Sequence, residues 1–178
     1  MKKIYLSIFA GLMVISLFSQ NSNPWKAVQE SSFAKSDMLR TIVPDKYQTF
    51  LLDLQALDII LKKAPMRFSA QAKSQAPLLA LPLADGQFGE FRIIEAPVMH
   101  PELAAKYPDI KTYAGWSEKD PTAYARFGIS PKGFHAMILS ARHNTVFIDV
   151  YATGQPQYYI CYFKKDFHKD DPFTCYFD

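Results

Sequence analysis

Phe91-Arg-Ile-Ile-Glu-Ala-Pro-Val-Met99, Tyr124-Ala-Arg-Phe-Gly-Ile-Ser-Pro-Lys-Gly-Phe-His-Ala-Met-Ile-Leu-Ser140 and Thr145-Val-Phe-Ile-Asp-Val-Tyr151 are the segments that decide the fold. Short apolar runs alternate with Pro and Gly punctuation, the pattern of a meandering antiparallel sheet. Ala125, Phe127 and Ile129 alternate with Tyr124, Arg126 and Gly128. Pro131-Lys132-Gly133, Arg142-His143-Asn144 and Gly154-Gln155-Pro156 are turn signals, so strands are expected over 122–130, 134–140, 145–151 and 157–164. The later strands carry large apolar groups on both faces, which implies cover on both sides.

Working outward, Leu78 to Leu83 and Phe88 to Glu95 read as a hairpin around Asp85-Gly86, and Ile110 to Ala114 as a further strand. His100-Pro-Glu-Leu-Ala-Ala-Lys-Tyr107 reads as a short helix, with Pro101 at its first position and Pro108 after its end. Tyr47 to Leu52 favours a strand. From Asp53 the period changes: Leu54, Leu57, Ile60 and Leu61 follow helical spacing. Asp53 can cap that helix, Lys62 and Lys63 suit its last turn, and Pro65 stops it. Residues 66–76 are polar and read as a loop. The expectation is an α+β domain: a mainly antiparallel, curved sheet that can close into a barrel, with one main helix over 53–63 and one short helix.

The chain has 178 residues, 49% hydrophobic and 15% aromatic. That is enough for one domain with a real core and is not the composition of a disordered chain. Its net charge is +3, with Lys2 and Lys3 supplying two of those charges. The remainder is close to neutral and leaves no electrostatic footprint for nucleic acid. Residues 1–19 read as a secretory signal peptide: Lys2 and Lys3, then the apolar run Ile4 to Phe18, then Ser19. The run is shorter than the roughly 20 residues a retained span needs, and no other segment is long and apolar enough to cross a membrane, so no stable span is expected after its removal. Residues 20–46 are expected to form an extended or partly helical leader anchored by Trp25, with a helix over 25–30. The body is expected over 47–167 and a tail over 168–178. Export places Cys161 and Cys175 in an oxidising compartment.

From Trp25 to Cys175 the chain resembles the N-terminal propeptide region of secreted bacterial zinc metallopeptidases of the reprolysin-like class, common in Bacteroidetes. The segments that carry this are Tyr47-Gln-Thr-Phe-Leu-Leu-Asp53, Phe91 to Met99, Pro101 to Pro108, Ile110-Lys-Thr-Tyr113, Asp120-Pro-Thr-Ala123, Gly133-Phe-His-Ala-Met137, Ile148-Asp149 and Tyr158-Tyr-Ile160. In such proteins a protease domain follows, with a His-Glu-x-x-His-x-x-Gly-x-x-His zinc site. This chain reaches Asp178 without one: none of His100, His135, His143 or His168 is followed by Glu-x-x-His. The resemblance therefore implies a non-catalytic prodomain, as a truncated frame, a fragment or a domain made alone. It would assist the folding and latency of a zinc metallopeptidase catalytic domain. The zinc would belong to that partner, and this chain would need no cofactor.

Within that resemblance Cys175 is a candidate ligand to the partner's zinc, acting in trans as a thiolate. A Cys161–Cys175 disulfide and a role for neither cysteine remain open beside it. His135 among apolar neighbours reads first as a packed or edge histidine. His168 near Asp166, Asp170 and Asp171 reads as a solvated polar run. Glu95 and Glu102 suit capping, and Ser130 and Ser140 have no nucleophile-elbow context. Tyr158, Tyr159, Tyr162 and Phe163 read as sheet packing ahead of a stacking face for a ligand. The alternative to the prodomain is a stand-alone exported binding module using a sheet edge or aromatic face.

Overall fold

The structure is a computed structural model and describes residues 23–35 and 37–168. Nine strands form a single antiparallel sheet: β1 (Trp25–Ala27), β2 (Gln48–Leu52), β3 (Leu78–Pro82), β4 (Phe88–Glu95), β5 (Lys111–Ser117), β6 (Tyr124–Ser130), β7 (Gly133–Leu139), β8 (Val146–Val150) and β9 (Tyr158–Phe163). Their spatial order is β1-β2-β9-β8-β7-β6-β5-β4-β3. From β3 to β9 each strand pairs with its sequence neighbour, as tight turns require. The meander thus runs through seven strands. The sheet curls until β1 lies alongside β3, and among the described residues no ladder of backbone hydrogen bonds joins those two. The result is an almost closed barrel with one seam, as the α+β reading with a curved sheet expected.

Alternation sets the inner face. Phe91, Ile93, Ala125, Phe127, Phe134, Ala136, Ile138, Ile148 and Tyr159 point into one buried cluster. Helix α1 (Leu54–Leu61) bridges from β2 towards β3 and adds Leu57, Ile60 and Leu61 to that cluster. Asp53 caps it, accepting from the N–H groups of Gln55 and Ala56 at 3.0 Å each. Helix α2 (Pro101–Lys106) lies between β4 and β5 and buries none of its residues.

Residues 25–30 do not form the helix that the sequence suggested. Trp25–Ala27 is a strand paired with Phe50–Leu52, and a single 3-10 turn follows at Glu30–Ser32. The Trp25 ring explains the choice: it meets Phe134 and Tyr159 edge-on at 5.2 Å inside the barrel, which an extended backbone at the seam permits. Residues 28–35 and 37–47 then lie over the outer face of β8 and β9. There Phe33 stacks on Tyr158 at 4.0 Å, and Val28, Met38 and Ile42 pack against a second buried cluster that includes Tyr151, Ile160 and Tyr162. This covers the second apolar face of the last strands. A polar clasp fixes the arm. Glu30 accepts from the hydroxyls of Tyr47 and Tyr151, and the Arg40 guanidinium sits over both rings at 4.8 and 4.4 Å. Burial, and then the Glu30 carboxylate, push the Tyr151 hydroxyl up to about 12.

A second polar knot joins the β5–β6 loop to the end of β7. Asp120 accepts from the hydroxyls of Ser140 and Thr122, both at 2.7 Å, with Arg142 at 3.5 Å. The Ser140 bond above all, then Thr122, hold its carboxyl down to about 2 from an ordinary 3.8. A carboxylate whose folded pKa is depressed stabilises the fold above its unfolded pKa and loses that contribution as it protonates. Stability should therefore fall as pH drops from about 3.8 towards 2. Urea midpoints measured across that window should fall less steeply for Asp120→Asn than for the wild type. Equal slopes would remove Asp120 as a source of the acid sensitivity.

Candidate functional site

A broad recess lies on the outer face of β4 and β5, under the loop after α1. Inward-pointing Phe91 and Ile93 leave Arg92 and Ile94 facing out, and the register sets Trp116 of β5 opposite Arg92. The loop residues Arg67 to Lys73 wall the other side, making a groove of about 780 Å³. Backbone bonds hold this loop against the sheet. The Arg67 N–H donates to the Glu95 carbonyl at 2.8 Å, and the Glu95 N–H to the Pro65 carbonyl at 2.9 Å.

Two features of the loop are unusual. Phe68 is the one described residue other than glycine with a positive φ, at 67°, and it is 88% exposed. A bulky residue in the left-handed region is strained by about 1–2 kcal/mol, and its ring here stands in solvent instead of being buried in compensation. The Arg67 guanidinium lies over that ring at 4.5 Å. Nearby, the Ser69 hydroxyl oxygen is buried without a hydrogen-bond partner among the described residues. Unpaired buried hydroxyls are costly and uncommon.

The charge of the groove is uneven. Arg92 is committed: its Nε donates to Glu118 at 2.8 Å and one terminal nitrogen to the Ala76 carbonyl at 3.1 Å. Arg67 and Lys73 form no ion pair among the described residues. The groove thus combines two unpaired cations, two aromatic rings and an aliphatic wall. Such a surface can bind an anionic, partly apolar ligand.

A smaller recess on β6–β8 holds the histidine that the sequence singled out. His135 Nδ1 pairs with Asp149 Oδ1 at 2.8 Å, and the Tyr162 hydroxyl donates to the other Asp149 oxygen at 2.8 Å. Burial, then Asp149, push the Tyr162 hydroxyl well above the usual phenol range. An oriented Asp–His pair can serve as a base where a nucleophile stands within reach. The Thr112 hydroxyl that lines this recess is engaged, donating to the Ala96 carbonyl at 2.9 Å.

The other candidates are scattered. Cys161 is buried in the barrel, its thiol donating to the Pro82 carbonyl at 3.4 Å, and burial above all pushes its pKa far up. Such a thiol is poorly placed to ligate an external metal. Cys175, the signal segment 1–19 and the tail beyond His168 lie outside the described residues. His143 bonds its neighbour's carbonyl, His100 precedes α2, and His168 is 3.7 Å from Asp45. Glu95 ends β4, and Glu102 lies in the first turn of α2. Ser130 shapes the 130–133 turn, bonding the Gly133 carbonyl and Lys132 N–H, and Ser140 belongs to the Asp120 knot. Tyr159 and Tyr162 are buried, and Tyr158 is covered by Phe33, so these rings pack the sheet. Among the described residues no group of three or more His, Cys, Asp or Glu side chains could hold a metal, and no helix is long and apolar enough to cross a membrane. No protein-family model, curated protein or solved structure matches the chain.

Sequence reasoning missed the groove because its cations and Phe68 lie in a segment that reads as a polar loop. A lone Phe between Arg67 and Ser69 was the available signal.

Proposed function

We propose that this chain is an exported, non-catalytic, propeptide-like domain that binds the catalytic domain of a zinc metallopeptidase, assisting its folding and covering its cleft. The observation that carries this is the position of the segments resembling such prodomains. They fall on β2, β4, β5, β7, β8 and β9 of a single sheet and on α2 beside it, so the likeness is spread over one folded unit. The barrel interior is filled by its own side chains, which leaves the outer surface to meet a partner. Cys161 being buried, Cys175 is the thiol of this chain that could reach a partner's zinc.

A second reading, a stand-alone exported binding module, is favoured by the Arg67–Trp116 groove, which needs no protease to explain it. Titrating the purified chain and Cys175→Ala against a reprolysin-like zinc protease of the same cell separates the two. Inhibition lost with Cys175→Ala means thiolate ligation of the zinc. Inhibition kept means cover without ligation. A folded chain that neither binds nor inhibits the protease leaves the binding module.

A further inference from the structure

We infer that the groove between β4–β5 and the 67–73 loop is a docking site for an extended, acidic segment of a partner polypeptide that carries an aromatic side chain. The inference rests on the reading of this chain as a partner-binding domain and names the chemistry of the contact. Charge decides the sign of the occupant. Arg67 and Lys73 have no carboxylate among the described residues, while Glu118 is already engaged by Arg92. A planar guanidinium suits a carboxylate, which it binds in two parallel hydrogen bonds.

Apolar content decides the rest. Trp116 and Ile94 floor the groove, and Phe68 is held out at its rim in a conformation that its own burial does not compensate. Backbone strain that the surrounding packing does not offset clusters at ligand clamps and other functional sites. An acidic sugar would meet the cations equally well, but its ring hydroxyls would face aliphatic and aromatic atoms over most of the wall.

The probe is a fluorescently labelled octapeptide of alternating aspartate and phenylalanine, followed by anisotropy and by Trp116 emission. Controls are the same peptide with lysine for aspartate, and oligogalacturonate. The acidic peptide should bind, the lysine peptide should not, and added salt should weaken binding. The double variant Arg67→Glu/Lys73→Glu, with both residues at the surface, should bind at least about tenfold more weakly. Phe68→Gly, which relieves the left-handed strain, should keep or raise the melting temperature and still lose affinity, which a purely structural role for Phe68 would not produce. Equal binding of the two peptides, undiminished binding by the double variant, or preference for oligogalacturonate would each overturn the inference. The two proposals fail separately. Protease inhibition that survives the double variant sinks the groove and keeps the prodomain. Groove-dependent peptide binding without inhibition of any zinc protease does the reverse.

Discussion

Trp25→Ala will destabilise the domain by about 3–5 kcal/mol, the usual range for deleting a buried tryptophan. The ring is 4% exposed and lies between Phe134 of β7 and Tyr159 of β9, so one side chain ties the first strand to the far wall of the barrel. Its loss leaves a cavity and also releases β1, whose pairing with β2 spans three residue positions. Trp25→Phe makes the sharper comparison. The indole N–H is buried and has no acceptor among the described residues. Phenylalanine removes that orphan donor, which offsets part of the lost packing, so its cost should stay within about 1.5 kcal/mol. Urea unfolding of both variants checks the pair. Equal, small losses would mean that β1 is dispensable.

Gly133→Ala should cost about 3 kcal/mol. Gly133 has φ of 111°, and a methyl group there would stand 2.7 Å from Val150 Cγ1 and 3.2 Å from the Tyr159 hydroxyl. Backbone strain and overpacking each contribute about 1–3 kcal/mol. The hydroxyl cannot yield freely, because it accepts from the Phe134 N–H at 3.1 Å and donates to the Pro156 carbonyl at 2.7 Å. Gly154→Ala is the control. Its φ is 77°, with open space around the position, so only the conformational penalty of about 1 kcal/mol applies. The difference between the two melting temperatures isolates the steric part. Parity would mean that the Gly133 turn relaxes.

Period alone made much of the fold legible. The change from alternation to helical spacing at Asp53 marks α1 and its cap, and the turn residues divide the meander correctly. What escaped depends on register. β1 is three residues long, too short for any periodicity, and is recognisable only once Trp25 is set opposite Leu52. The arm over β8 and β9 has no regular period because 3-10 turn and irregular backbone carry Phe33, Met38 and Ile42 to their places. The two-faced apolar character of β9 was the trace it left in the sequence. Likewise the His135–Asp149–Tyr162 chain joins three strands, and the groove joins a loop to outward positions of two others. Neither can be composed from a sequence before its strands are aligned.

The seam has a consequence for the order of assembly. From β3 onward each strand finds its partner in the segment just made, so the meander can grow by local steps. The opposite edge cannot, since Gln48 pairs with Cys161 across most of the described chain. The β1–β2 pair can therefore join the sheet only once β9 is made. A chain interrupted before Tyr158 would present β8 as an open edge and leave β2 without its β9 partner and Trp25 without Tyr159, a combination that favours self-association. The β2–β9 ladder is thus the pairing of longest range in the sheet, and β9 is the last of the described strands along the chain.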